Sequence, residues 1–109
     1  MAKFIFNETE WNNPNSFDIT FKKLPESRGV YLLVHTYITD KPRLRNHEIL
    51  YVGSSTNLKE RLRGHQTLRF LKTQYEYVHC FFKECDSYYE YEKKIIKEVK
   101  PKYNIQHNG

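Results

Sequence analysis

Apolar positions fall in a few separated stretches of the chain, and their spacing predicts three strands and three helices. Residues 29–35, Gly-Val-Tyr-Leu-Leu-Val-His, are apolar on both faces of an extended chain, which predicts a strand central to its sheet. Residues 49–52, Ile-Leu-Tyr-Val, have the length and β-branched content of a buried strand, punctuated by Gly53. A third strand is predicted over residues 75–84, with Tyr77, His79 and Phe81 on one face and Val78, Cys80 and Phe82 on the other. Elsewhere the period lengthens. Leu58, Leu62 and His65 follow the candidate caps Ser54, Ser55, Thr56 and Asn57 at helical spacing, which sets Arg61 and His65 four apart on one face. This strand-to-helix corner, with free backbone N–H groups beside an arginine, suits an anion such as a phosphodiester. Residues 67–72 predict a second short helix.

The last helix has the clearest ends. Ser87-Tyr88-Tyr89-Glu90 has the form of a capping box, and Lys100, which precedes Pro101, should stop the helix near Val99. Its apolar stripe runs Tyr88, Tyr91, Ile95 and Val99, widened by Tyr89 and Ile96. Glu90 has Lys93 and Lys94 as helical neighbours, a solvated ion-pair face. Glu92 instead has Tyr88, Tyr89, Ile95 and Ile96 there, so its carboxylate projects from the apolar stripe toward the body of the protein. A buried carboxylate is costly unless it is paired or holds a metal. A rim pairing with Lys or Arg would satisfy it too, yet Glu92 is the best catalytic candidate that periodicity offers.

Residues 1–26 read as an N-terminal extension packing on a domain of residues 27–109. In that extension Phe4, Ile5 and Phe6 predict a short edge strand, and Trp11 and Phe17 anchor a loop rich in Asn and Pro. The polar connection over residues 36–47 carries Lys41, Arg43, Arg45 and His47; it is either a solvated hairpin connection or a DNA-contacting loop. A length of 109 residues supports one core. The formal charge of +5 favours a polyanionic partner, weakly by itself. No apolar run spans a membrane and no signal-peptide core is present, so an intracellular protein, cytoplasmic or nucleoid-associated, is expected. Cys80 and Cys85 read as free thiols, because a zinc site would need two more ligands and neither His79 nor His47 supplies a recognised spacing.

Taken in order, Gly29-Val30-Tyr31, Tyr51-Val52-Gly53, Arg61, Glu92 and Pro101-Lys102-Tyr103-Asn104 resemble the GIY-YIG nuclease superfamily. The chain is similar to the nuclease module of bacterial excision-repair endonucleases and to the catalytic domain of intron-encoded homing endonucleases. The likeness covers residues 29–105; either tripeptide alone is weak, whereas the ordered set is specific. It implies an α/β (α+β) fold, a small central antiparallel sheet of three strands flanked by helices. It also implies a metal-dependent DNA endonuclease with one Mg²⁺ (or Mn²⁺) per active site, held by Glu92. By the same resemblance Arg61 binds phosphate, Tyr31 and Tyr51 position or deprotonate the attacking water, and His65 lies near the scissile phosphate. Asn104, with Gly29 and Gly53, supports the site. Lys41, Arg43, Arg45, Ser54, Lys59 and Arg63 are the expected DNA-binding residues.

Against the resemblance, the connection between Tyr31 and Tyr51 looks longer than in compact relatives, and within these residues no separate DNA-recognition domain is expected. Double-strand cutting would then call on a second copy or a separate DNA-recognition protein. Plainer readings stand beside these: core tyrosines with satisfied hydroxyls, a surface arginine, a bystander histidine. The alternative for the whole chain is a nucleic-acid-binding module with a decayed site. Chemistry separates the candidate bases. A tyrosine base predicts a rate still rising above about pH 8, and a histidine base a plateau not far above ~6.5. Which tyrosine faces the water depends on a strand register that the sequence does not reveal.

Overall fold

In the computed structural model, residues 4–12, 24–63 and 65–104 are described. Three antiparallel strands form one sheet: β1 (Gly29–Asp40), β2 (Arg43–Ser55) and β3 (Val78–Glu84), in the order β2-β1-β3. Helices α1 (Leu58–Arg63), α2 (Gln66–Gln74) and α3 (Tyr88–Val99) flank it. The unbroken apolar run of β1 explains its central place, since successive side chains point to opposite faces and both faces are covered. Tyr31, Leu33, Cys80 and Phe82 pack with Leu58 and Leu62 of α1 and Leu68 and Leu71 of α2. Val30, Leu32, Val34, Val52 and Phe81 pack with Ile95 of α3 and with Trp11. The fold is the α+β arrangement that the resemblance implied.

The pairing of β1 with β2 sets which side chains meet. Tyr31 lies opposite Gly53, Leu32 opposite Val52 and Leu33 opposite Tyr51, after which the register shifts and Val34 pairs with Ile49. Leu50 is the extra residue of this bulge. It lets Leu50 and Tyr51, although adjacent, both join the core on the α1 and α2 side, while Ile49 and Val52 go to the α3 side.

Several expectations from sequence are corrected. Residues 36–47 are not a loop: β3 pairs with β1 only as far as His35, but β1 and β2 continue paired to Asp40 and Arg43. A two-stranded ribbon results, closed by Lys41 and Pro42, whose peptide bond is cis. Thr36, Tyr37, Ile38 and Thr39 suit an extended chain, and their polar surroundings hid the strand. Gly53 does not end β2, which runs on to Ser55.

Residues 4–7 form no strand; Phe4 and Phe6 pack by their side chains against the α3-side core. The backbone of Asn12 instead meets β3, exchanging hydrogen bonds of 2.9 and 2.8 Å with Phe82. Trp11 is buried, and Phe17 lies outside the described residues.

On α3 the capping box is absent. Ser87 has φ −91° and ψ 42°, not the extended backbone that aims a cap at the first turn, and its hydroxyl lies 3.4 Å from the Cys85 thiol. Tyr89 is 57% exposed, with the Lys93 ammonium 4.3 Å from its ring centre, so it does not widen the stripe. The helix does stop at Val99, where Lys100 turns left-handed with φ 52° and donates its N–H to Ile96. Both cysteines are free, and burial pushes the Cys80 thiol up to about 12, so it offers no thiolate near neutrality. No helix among the described residues is long and apolar enough to cross a membrane.

Candidate active site

Tyr31 is the centre of the cluster. Only 1% exposed, it lies where a β-carbon on Gly53 would overlap its Cζ and hydroxyl, so the missing side chain of Gly53 is the space that the ring occupies. Tyr51, on the same face one diagonal step away, stacks on it with ring centres 6.2 Å apart and planes 24° apart. The register thus places both motif tyrosines on the α1 and α2 side. Gly29 works differently. A β-carbon there would strike the Lys83 carbonyl and a Leu58 methyl, so its absence lets α1 sit close on the sheet.

His65 is not on the Arg61 face of a continuing helix. α1 ends at Arg63, and His65 is the N-cap of α2, its Nδ1 accepting the Leu68 N–H at 3.2 Å. Its Nε2 is 2.7 Å from the Tyr31 hydroxyl, and its ring meets Tyr31 and Tyr51 edge-on. With Nδ1 accepting, a neutral ring carries its proton on Nε2 and donates it to the Tyr31 oxygen. Spacing could not reveal this, because the turn between two short helices keeps a residue at helical distance while changing its role.

The corner after β2 also differs from expectation. The Leu58 and Lys59 N–H groups donate to the Ser27 and Pro25 carbonyls at 2.9 and 3.1 Å, and Asn57 Oδ1 accepts from Glu60 at 3.1 Å. Those first-turn donors are engaged, so phosphate affinity at this corner falls to side chains. Arg61 is exposed and borders a shallow groove with Ser55, Thr56, Asn57 and Glu60. Lys59 and Arg63 sit on the same short helix, Arg63 exposed and Lys59 partly so.

Glu92, on α3, reaches the end of β2 at Ser54. It is half-buried, and Ser54 donates its hydroxyl to Oε1 at 3.1 Å. Burial raises its pKa; the Ser54 hydrogen bond and the Lys93 charge offset this only in part. Burial likewise drives the Tyr31 phenol far above its ordinary value, followed by repulsion from Tyr51, while the Arg61 charge pulls it down. Glu92 adds a small upward push, so Tyr31 feels both Arg61 and Glu92.

Among the described residues no three His, Cys, Asp or Glu side chains gather to hold a metal ion, which does not fit a zinc cage. A single carboxylate beside a hydroxyl does fit Mg²⁺, which keeps most of its waters and takes phosphate oxygens from substrate.

Asn104 braces this arrangement from the edge. β2 is an outer strand, and at Val52 its outward-facing backbone is closed by the Asn104 amide: Oδ1 accepts the Val52 N–H at 2.7 Å, and Nδ2 donates to the Val52 carbonyl at 2.8 Å. Tyr103 N–H adds a bond to the Leu50 carbonyl at the bulge. Tyr31, Tyr51 and His65 are thus brought together in direct contact, with Arg61 and Glu92 in electrostatic reach of Tyr31. Lys41, Arg43 and Arg45 are not; they lie on the ribbon at the opposite end of β1 and β2. Sequence reasoning missed the bulge at Leu50 and the Ser54 contact to Glu92, since neither leaves a periodic mark.

The model of the GIY-YIG catalytic domain matches residues 27–104, and the chain belongs to that family. No curated protein and no solved structure matches the chain significantly.

Gly53→Ala tests the central contact. The added methyl must displace the Tyr31 ring, at a cost of roughly 1–3 kcal/mol as overpacking of a buried site. Denaturant unfolding measures it; a variant as stable as wild type would show that the ring does not need the space.

Proposed function

We propose that this chain is a metal-dependent DNA endonuclease that hydrolyses phosphodiester bonds, one strand per active site. The observation that carries this reading is buried Tyr31, which is hydrogen-bonded to His65 through its hydroxyl, stacks on Tyr51 and feels the charges of Arg61 and Glu92. Membership of the family supports nuclease activity on DNA, and its nucleases generally depend on divalent metals. The remaining assignments rest on the chemistry of the residues. Arg61 grips two phosphate oxygens with its planar fork. Glu92, with Ser54 beside it, is the ligand for one Mg²⁺ or Mn²⁺, which when bound neutralises charge on the phosphate and the leaving oxygen. One glutamate and one arginine serve one strand, so a double-strand break takes two molecules or two successive events.

Tyr31 is the base in this reading. The His65 N–H and the Arg61 charge favour its phenolate, against burial and Tyr51. His65 is unsuited to the task, because one ring nitrogen already accepts from Leu68 and the other carries the proton. His65 therefore positions Tyr31 and stabilises its ionised form.

Two outcomes are expected. Because burial raises the folded pKa of Glu92 above its unfolded value, the folded state loses stability as pH rises through the carboxylate range. Glu92→Gln should therefore unfold at a higher temperature than wild type at pH 7 in EDTA. It should also lose both cleavage and the stabilisation that Mg²⁺ gives wild type, whereas Glu90→Gln keeps both. A Mg²⁺-induced rise in melting temperature that survives Glu92→Gln would remove Glu92 as the metal ligand.

The second outcome concerns pH. The single-turnover rate of wild type should still be rising above about pH 8, since the Tyr31 phenol is held above its ordinary value of ~10. Tyr31→Phe should cost roughly 10²-fold or more and Tyr51→Phe less, within the ~10²–10⁴ range of general-base effects. A profile that levels off near pH 7 with an active Tyr31→Phe variant would contradict this.

A further inference from the structure

The ribbon formed by β1 and β2 beyond His35 is unexplained by the site. Past Thr36, whose N–H still donates to the Tyr77 carbonyl at 3.2 Å, no third strand pairs with either among the described residues, and every residue from Tyr37 to Arg45 is exposed. Tyr37, Ile38 and Leu44 are 44%, 57% and 53% exposed, which is unusual for large apolar side chains on an isolated two-stranded hairpin. Residues 37–45 hold three cations, Lys41, Arg43 and Arg45, against the single acid Asp40.

Pairing fixes their arrangement. Ile38 lies opposite Arg45 and Asp40 opposite Arg43, so Ile38, Asp40, Arg43 and Arg45 share one face, which keeps two cations against one acid, while Tyr37 and Leu44 belong to the other. A two-stranded ribbon of this width fits the major groove of B-form DNA, about 12 Å across, where arginine is the commonest reader of guanine. Two such ribbons from separate copies would bring like charges together, and charged side chains with a proline at the tip discourage edge pairing with another sheet. Charge complementarity therefore selects DNA as the occupant.

We infer that the ribbon enters the major groove of the duplex to one side of the cut and reads bases there through Arg43 and Arg45. Position follows from strand length. Tyr37 and Asp40 are six and nine residues along β1 from Tyr31, roughly 20 and 30 Å at ~3.3 Å per residue. At ~3.4 Å per base pair these spans correspond to about 6–9 base pairs. The proposal leans on the nuclease reading above only for the location of the cut.

The test is selection of duplexes from a random-sequence pool by the whole chain in EDTA, where no cutting occurs, followed by mapping of cut sites in Mg²⁺. Wild type should enrich a short guanine-containing motif by about 5- to 150-fold, the range for a good arginine–guanine pair. Arg43→Ala/Arg45→Ala should lose that enrichment, and the motif should sit about 6–9 base pairs to one side of the mapped cuts. Absence of enrichment in wild type, or the same motif with the double variant, would overturn the inference, as would binding that weakens equally for all sequences. A dimer in sedimentation without DNA that Ile38→Asp dissolves would also overturn it, giving the ribbon to a second copy. Enrichment without any cleavage would leave ribbon readout standing and end the nuclease reading, so the two fail separately.

Discussion

Because Gly53 has no side chain, the Tyr31 ring of the neighbouring strand can lie across it, bringing its hydroxyl to His65 and its face to Tyr51. That cross-strand pair depends on register. A slip of one residue would turn Tyr31 toward α3 and bring a β-branched valine against the helices that now cover it. Three features oppose the slip: burial of both faces of β1, the bulge at Leu50, and the Asn104 amide on the outer edge of Val52. Each amide bond contributes only about 0.5–1.5 kcal/mol, but losing Asn104 would also leave the buried Val52 backbone unpaired, which costs more. Small local terms thereby fix a geometry on which the whole site rests.

The same burial that orders the cluster makes it electrostatically unfinished. Tyr31 and Glu92 are both pushed toward their neutral forms, chiefly by loss of water, and Arg61, Ser54 and Lys93 offset this only partly. A site of this kind gives up folding stability that a bound cation and a phosphate can return, the usual trade between stability and activity. The proposed site accordingly lies where β2 ends and helices approach from both sides. Neither face of the sheet alone could supply a phenol and a carboxylate to one spot.

Much of this was legible in sequence. The apolar run of residues 30–34 requires a central strand, the Lys100-Pro101 step stops α3, and Glu92 stands out because its helical neighbours are apolar while those of Glu90 are charged. What stayed hidden depends on three-dimensional closure. His65 keeps helical distance from Arg61 but caps the next helix, because two short helices meet there. Ser87 has the sequence of a cap without the backbone angles. Tyr89 matches the stripe in period yet lies outside it, since a short helix on a narrow sheet buries only a narrow stripe. The ribbon looked like a loop because its strands face solvent, so no apolar alternation marks them. The Asn104 clamp joins residues 52 positions apart and has no local signature.

The central claim is that Tyr31, Arg61 and Glu92 form a working phosphodiester-cleaving site. Incubating supercoiled plasmid with the purified chain tests it most directly, with Mg²⁺ in one arm and EDTA in the other. The account predicts nicked circles that accumulate with time in Mg²⁺ before any linear product, and none in EDTA. Plasmid that stays supercoiled in Mg²⁺ while the chain still binds it would contradict the account and leave a DNA-binding module in its place.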